Sequence, residues 1–115
     1  MKFLIALMLF TMTDQPRQVL LFYKEDGKEI HDAQIAELNK SKSGMKERDL
    51  TVKSFLFTAN SADFKKWDVD TSKSFTFILV GKDGGEKHRS NTIVKYPDLF
   101  GKIDAMPMRK SEVKK

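Results

Sequence analysis

"GKDGGEKHRS", residues 81–90, follows the apolar run "SFTFILV" (74–80) and decides what kind of sheet this chain builds. Three glycines around two lysines, closed by a serine, look at first like a loop that cradles phosphate. That loop needs G-x-x-x-x-G-K-[ST] between a strand and a helix, so that backbone N–H groups wrap the phosphates and the lysine reaches their outer oxygens. Here Glu86 separates Gly85 from Lys87, no hydroxyl residue directly follows that lysine, and "EKHRSNTIV" (86–94) becomes β-branched where a helix should start. A carboxylate would stand where an anion should bind. Asp83-Gly84 is instead a strong hairpin signal, because both central positions of a two-residue hairpin turn take φ > 0, which Asp and Gly tolerate. The stretch reads as an antiparallel hairpin with Asp83, Gly84 and Gly85 as its turn.

Outward from the hairpin, "QVLLFYK" (18–24) and "SFTFILVG" (74–81) are solid apolar runs of strand length, as expected of strands covered on both faces. "RDLTVKSFLF" (48–57) is a strand in which Leu50 and Val52 alternate with polar neighbours, and "EKHRSNTIV" is a polar one. After the turn "EDGKE", residues 29–43 read as a helix, with Ile30, Ile35 and Leu38 within roughly 140° at 100° per residue. Gly44 should end it as a left-handed cap, with Met45 folding back onto the last turn. "NSADFKKWD" (60–68) holds a short helical turn capped by Ser61, with Phe64 and Trp67 on one face. Pro97 and Asp98 start a last helix whose Leu99, Phe100, Ile103 and Met106 share a face. Pro107 stops it near Ala105 and Met106, and "MRKSEV" can form a further short turn.

A strand–helix–strand unit favours a right-handed parallel crossover, and the hairpin adds an antiparallel edge. Burying the two solid apolar strands centrally, with the more polar ones outside, gives the sheet order 2-1-3-4. That is the thioredoxin arrangement.

The 115 residues suffice for one domain with its own core, and 40% are hydrophobic. Twenty-one Lys and Arg against sixteen Asp and Glu leave a net charge of +5. The basic residues are dispersed apart from the tail "RKSEVKK" and have no interleaved aromatic partners, so no nucleic-acid partner is expected. There are no cysteines, which removes disulfides, zinc–thiolate sites and thiol mechanisms together. With His31 and His88 the only histidines, no metal site is expected, and no motif calls for a cofactor. "MKFLIALMLFTMTDQP" (1–16) carries one lysine and an unbroken apolar run from Phe3 to Phe10. The run is too short to span a bilayer and is laid out like a secretory signal, although it lacks Ala-x-Ala, and a buried N-terminal element remains the alternative. Residues 1–13 are therefore read as a signal peptide or N-terminal hydrophobic segment, residues 17–115 as the domain, and the protein as exported, periplasmic or extracellular, or cytoplasmic if uncleaved.

"KERDLTV" (46–52), "LVGKDGGEKHRS" (79–90) and "IDAMPMRKSE" (103–112), in this order and spacing, resemble the prokaryotic DUDES-type domain, a bacterial relative of domains in vertebrate equarin and the sushi-repeat-containing matrix proteins. The resemblance runs from about Arg17 to Glu112. It implies an α/β, thioredoxin-like fold with a central four-stranded mixed sheet flanked by helices, an exported setting, and an uncharacterised biochemical function. In the thioredoxin fold a reactive thiol pair occupies the N-terminus of the helix after the first strand, where free N–H groups stabilise a thiolate. Here that place reads "KEDGKEIHDAQ" (24–34), without sulfur. The fold's substrate-holding cis-proline would precede the third strand, and "DTSKSF" (70–75) has no proline.

Two functional classes follow. The first is a non-catalytic binding or interaction module, its surface made by the hairpin and the "IDAMPMR" corner: Arg89, Asp104, Met106, Pro107, Met108 and Arg109. Arginine offers a planar fork to carboxylate or phosphate, and the partner would be an envelope or extracellular protein or a polyanion bound by the basic tail. Alternatively each arginine pairs with a nearby acid such as Asp104 or Glu112 and fixes the corner. The second class is an enzyme with acid–base chemistry at His31, Asp32 and Asp26, where a helix dipole and carboxylates pull an imidazole in opposite directions; the alternative there is an exposed histidine among first-turn acids. Either way, insulin reduction by dithiothreitol in the presence of this protein should proceed at the rate of the buffer alone; a faster rate would overturn the exclusion of thiol chemistry.

Overall fold

Val19, Leu20, Leu21 and Phe22 leave strand β1 (Arg17–Tyr23) without a polar face, and β3 (Phe75–Val80) is buried along its whole length in the computed structural model, which describes residues 15–107, 109 and 110. Both strands therefore lie inside the sheet. β1 pairs in parallel with β2 (Leu50–Leu56) and antiparallel with β3, which pairs antiparallel with β4 (Glu86–Ser90). The order is β2-β1-β3-β4, as expected. Helices α1 (Lys28–Asn39) and α2 (Lys42–Glu47) lie between β1 and β2, α3 (Ser61–Lys66) follows β2, and α4 (Tyr96–Asp104) follows β4. On one face Val19, Leu21, Phe75, Phe77 and Leu79 pack with Leu38, Met45, Leu99, Phe100 and Ile103 from the three helices α1, α2 and α4. On the other, Leu20, Phe22, Ile78 and Val80 meet Phe64 and Val69, with Phe55, Phe57 and Trp67 at the margin.

The expected helix over 29–43 is broken. α1 ends at Asn39, Ser41 takes an extended φ of −138°, and a new short helix starts at Lys42. Gly44 is inside that helix rather than in a left-handed cap. It is there for close approach: a Cβ would collide with the Phe100 ring and come 2.7 Å from Ser41 Oγ. Met45 lies in the core, 8% exposed. Ile30, expected on the core face, is 37% exposed one turn before the buried Gln34, and it is the His31 ring that covers Tyr23 at the end of β1, stacked at 4.1 Å.

The residue that α1 buries instead is Gln34, which is 0% exposed. Its amide acts as one rung of a ladder: Val94 N–H donates to Oε1 at 2.7 Å, and Nε2 donates to the Val94 carbonyl at 2.9 Å. A buried amide is tolerable only when so satisfied. β4 is shorter than the expected strand to Val94: after Ser90 the Asn91 Nδ2 donates to the Phe75 carbonyl at 3.1 Å and to the Thr76 Oγ1 at 2.9 Å, so a side chain takes a main-chain acceptor of β3.

Ser61 is the first helical residue of α3 rather than its cap; Asn60 takes the cap position, and its Nδ2 donates back to the Leu56 carbonyl at 3.1 Å. α3 closes with Asp68 at φ 51°, Asp68 N–H on the Lys65 carbonyl and Val69 N–H on the Phe64 carbonyl, while Val69 and Phe64 share the core. This left-handed closure with its apolar clasp normally uses glycine.

At the hairpin only Gly84 has positive φ, +83°; Asp83 does not. Gly84 N–H donates to the Gly81 carbonyl at 3.0 Å and Gly81 N–H to the Gly85 carbonyl at 2.9 Å, which makes a three-residue loop ending in a left-handed glycine rather than a two-residue turn. Asp83 Oδ1 accepts from Gly85 N–H at 2.9 Å. The register then slips, with Val80 opposite Glu86 but Leu79 opposite His88, so Lys87 is the extra residue of a bulge.

Gly84→Val should destabilise by about 1–3 kcal/mol, since its missing side chain meets open space and only backbone strain is at stake. Lys87→Ala should stay within about 0.5 kcal/mol, and neither variant should show a melting-temperature rise with ATP and magnesium. Gln34→Leu, which orphans Val94 N–H and C=O, should cost about 2–4 kcal/mol in denaturant titration; a cost below that of Lys87→Ala would refute the ladder's role.

Candidate functional site

The chain leaves β1 at Tyr23 and enters α1 through the single 3-10 turn Glu25–Gly27. Gly27 takes the N-cap position at φ −104°, so no special backbone conformation demands glycine. Proximity does: a Cβ would overlap the Ser74 carbonyl, whose carbon lies 2.8 Å away. Ser74 precedes β3, its carbonyl accepts Lys24 N–H at 3.0 Å, and among the described residues no peptide bond is cis.

One turn into α1, the His31 ring stands between two partners. Nδ1 is 2.9 Å from Asp32 Oδ1 and Nε2 is 2.7 Å from Ser54 Oγ on β2. Stacking on Tyr23 leaves the His31 side chain 12% exposed. The hydrogen bond from His31 and then the one from Lys28, 3.0 Å away, hold the Asp32 carboxyl below the usual carboxylate range. Asp26, on the exposed turn before the helix, makes no hydrogen bond to this cluster. Of the three residues expected here, the fold thus joins His31 and Asp32 and leaves Asp26 out. Ser54 was not anticipated, though alternation from Leu50 through Val52 puts it on the β2 face that turns toward α1.

At the opposite end of β1, Arg109 is 6% exposed. Its Nε donates to Asp104 Oδ1 at 3.1 Å, and its guanidinium also meets the Glu47 carboxylate at 3.3 Å. Asp104 is shared with Arg48, which grips it with Nε at 3.0 Å and Nη2 at 2.9 Å while lying 4.1 Å from the centre of the Phe100 ring. The buried Arg17 donates to the Arg48 carbonyl at 2.8 Å. Glu112 and Met108 lie outside the described residues. Arg89 belongs elsewhere: it holds Glu86 at 2.9 and 2.7 Å and donates to the carbonyls of Asp68 at 3.0 Å and Trp67 at 2.7 Å. The guanidiniums of Arg89 and Arg109 are thus both turned onto the protein itself. What the corner and the hairpin do share is a cleft of about 380 Å³ lined by Arg17, Gly81, Lys82, Asp83, Lys87, Met106 and Pro107. Lys87 pairs with Asp83 at 2.8 Å and Lys82 with Asp49 at 3.5 Å on its rim.

The Arg48 hydrogen bond, joined by that of Arg109, holds the Asp104 carboxyl below its ordinary value, while partial burial opposes this. A depressed folded-state pKa contributes stability that is present above the unfolded pKa, roughly 4, and is lost as pH falls through the folded value. Asp104→Asn should therefore lower the melting temperature most at neutral pH, and the gap from the parent should narrow below about pH 4. A gap that stays constant with pH would show that the carboxylate's charge is immaterial.

Comparison with other proteins agrees with this geometry. Thioredoxin-2, a component of the malaria parasite's protein secretion machinery, is 20% identical, with 79% of this chain and 84% of that one superposed at a TM-score of 0.61. A second malarial protein is 20% identical over 78% of this chain and 96% of its own, with a TM-score of 0.62. Trxlp from Edwardsiella tarda is 18% identical over 84% and 89%, with a TM-score of 0.58. The fold is thioredoxin-like, on a chain without cysteine. Among curated proteins the chain has no match. The family described as a domain of unknown function, DUF4174, matches residues 8–112, and the chain belongs to it.

Proposed function

We propose that this domain is an exported interaction module, built on the thioredoxin-like scaffold without its thiol chemistry, whose cleft between hairpin and corner holds a segment of an envelope or extracellular protein. The observation that carries the reading is the cleft itself, where the turn at residues 81–83 meets Met106 and Pro107 from the far end of the sequence. Met106 and Pro107 present apolar surface, and Lys82 and Lys87 stand at the rim. Asp83, the acid partner of Lys87, is more than half exposed, at 57%, so an incoming carboxylate can exchange with it at little cost. The fitting segment carries an apolar side chain next to an acidic one. A polyanion offers charge without the apolar part, and its binding falls steeply with salt.

The apolar run at residues 3–10 after Lys2 supports export, with residues 1–13 as the signal and 17–115 as the domain. The three shared motifs support kinship with the DUDES-type domains and, through them, with equarin and the sushi-repeat-containing proteins. Among the described residues no helix is long and apolar enough to cross a membrane.

The immobilised domain and its Met106→Ser/Lys87→Glu variant, checked for equal melting temperature, should be compared as baits for envelope and extracellular proteins, and captured candidates rebound in purified form. A partner retained equally by the variant, or binding that vanishes with salt and reappears on heparin alone, would reject the cleft reading. N-terminal sequencing of the exported protein should start within a few residues of Asp14; a localised product beginning at Met1 or Lys2 would reject cleavage.

A further inference from the structure

The cluster on α1 carries a second and separate inference. We propose that Ser54, His31 and Asp32 form an acyl-transfer site in which Ser54 is the nucleophile, His31 its base and Asp32 the positioning residue, acting on small, uncharged carboxylic esters. Three observations converge. Ser54 Oγ is 2.7 Å from His31 Nε2, within proton-transfer reach, and His31 Nδ1 is 2.9 Å from Asp32 Oδ1. This relay of hydroxyl, imidazole and carboxylate is recognised by geometry and role rather than by order along the chain. The imidazole is held in place by the Tyr23 ring at 4.1 Å, and a fixed base is what general-base catalysis needs. Ser54 is solvent-exposed on β2, so the nucleophile is open to a substrate.

The charges around the cluster define the substrate. Lys28 is neutralised by Asp32 at 3.0 Å, and Tyr23 and Ser54 bring no charge, so the cluster itself offers no net charge to an ionic ester. Position adds support, because ligands of open α/β sheets bind beyond the carboxyl ends of parallel strands, and β1 and β2 both point toward this end. In the reaction Ser54 Oγ bonds to the ester carbonyl carbon while its proton passes to His31 Nε2. The carbon–oxygen bond to the alcohol then breaks, and that proton leaves with the alcohol. Water, deprotonated by the same nitrogen, attacks the acyl-serine, releases the carboxylic acid and restores the hydroxyl.

The test is labelling of the intact chain with a fluorophosphonate probe, located by peptide mapping, alongside turnover of p-nitrophenyl acetate. The expected result is a single adduct on Ser54, absent from Ser54→Ala, and a rate that falls by on the order of 10²–10⁴ in His31→Gln, the range of a lost general base. Asp32→Asn should lower kcat with KM retained, and Asp32→Glu should recover part of the loss, which a merely structural carboxylate would not do. Ser54→Ala removes one exposed oxygen, so it keeps the test valid even if His31→Gln fails to fold. No adduct on Ser54, an adduct on another serine, or equal turnover by Ser54→Ala would overturn the proposal. The cleft at the other end of β1 is unaffected by any of these outcomes.

Discussion

Two strands with no polar face must each be covered twice, and that requirement governs this molecule. β1 and β3 carry Val19 to Phe22 and Phe75 to Val80, all buried. Each such side chain is worth about 1.5–3 kcal/mol when withdrawn from water, so no arrangement with either strand at an edge competes. Once they are central, the half-buried β2 and the charged β4 fall to the edges, where lysines and a bulge discourage pairing with other chains. The covers then occupy both faces. The two proposed sites lie one at each end of β1, where these covers stop.

The same hydrophobic logic explains what the sequence makes legible. Strand order follows from which runs are solid and which alternate, and the end of α4 follows from Pro107. Periodicity tells which side of a helix is apolar but not how far along it the covering continues, and so it puts Ile30 inside and gives no sign of the buried Gln34. Asp-Gly announces a reversal, but both a two-residue turn and a three-residue loop with a bulge accept it, and the choice depends on how Lys87 fits against Leu79 and Val80. Gly44 served close approach to Phe100, 56 residues away in sequence, and local pattern cannot distinguish that from a cap. Within the candidate sites, neighbours such as His31 and Asp32 could be read together. Ser54, Arg48 and Val94 reach their partners only through the fold, since 23, 56 and 60 residues separate them from His31, Asp104 and Gln34.

The arginine corner shows how charge is placed in a chain of net charge +5. Asp104 accepts from two guanidiniums, one of them nearly buried, and Arg48 spans from the Gly44 carbonyl to that carboxylate across the Phe100 ring. Removing the acid would leave two cations facing one another with Glu47 beside both. The corner thus ties the end of α4 to the end of α2 and, through Arg17, to the first residue of β1. Met106 and Pro107 sit directly after this tie. The apolar wall of the cleft therefore inherits its position from the core.

Gly27 limits which side chains the start of α1 can carry. Any side chain at the helix cap must displace the backbone at Ser74, where β3 begins beside β1. A cysteine placed at that cap would therefore meet a folding penalty, and the entry to β3 would have to be rebuilt to receive it. With the space beside Gly27 filled by the Ser74 main chain, the neighbouring surfaces can vary in chemistry more readily than the cap itself.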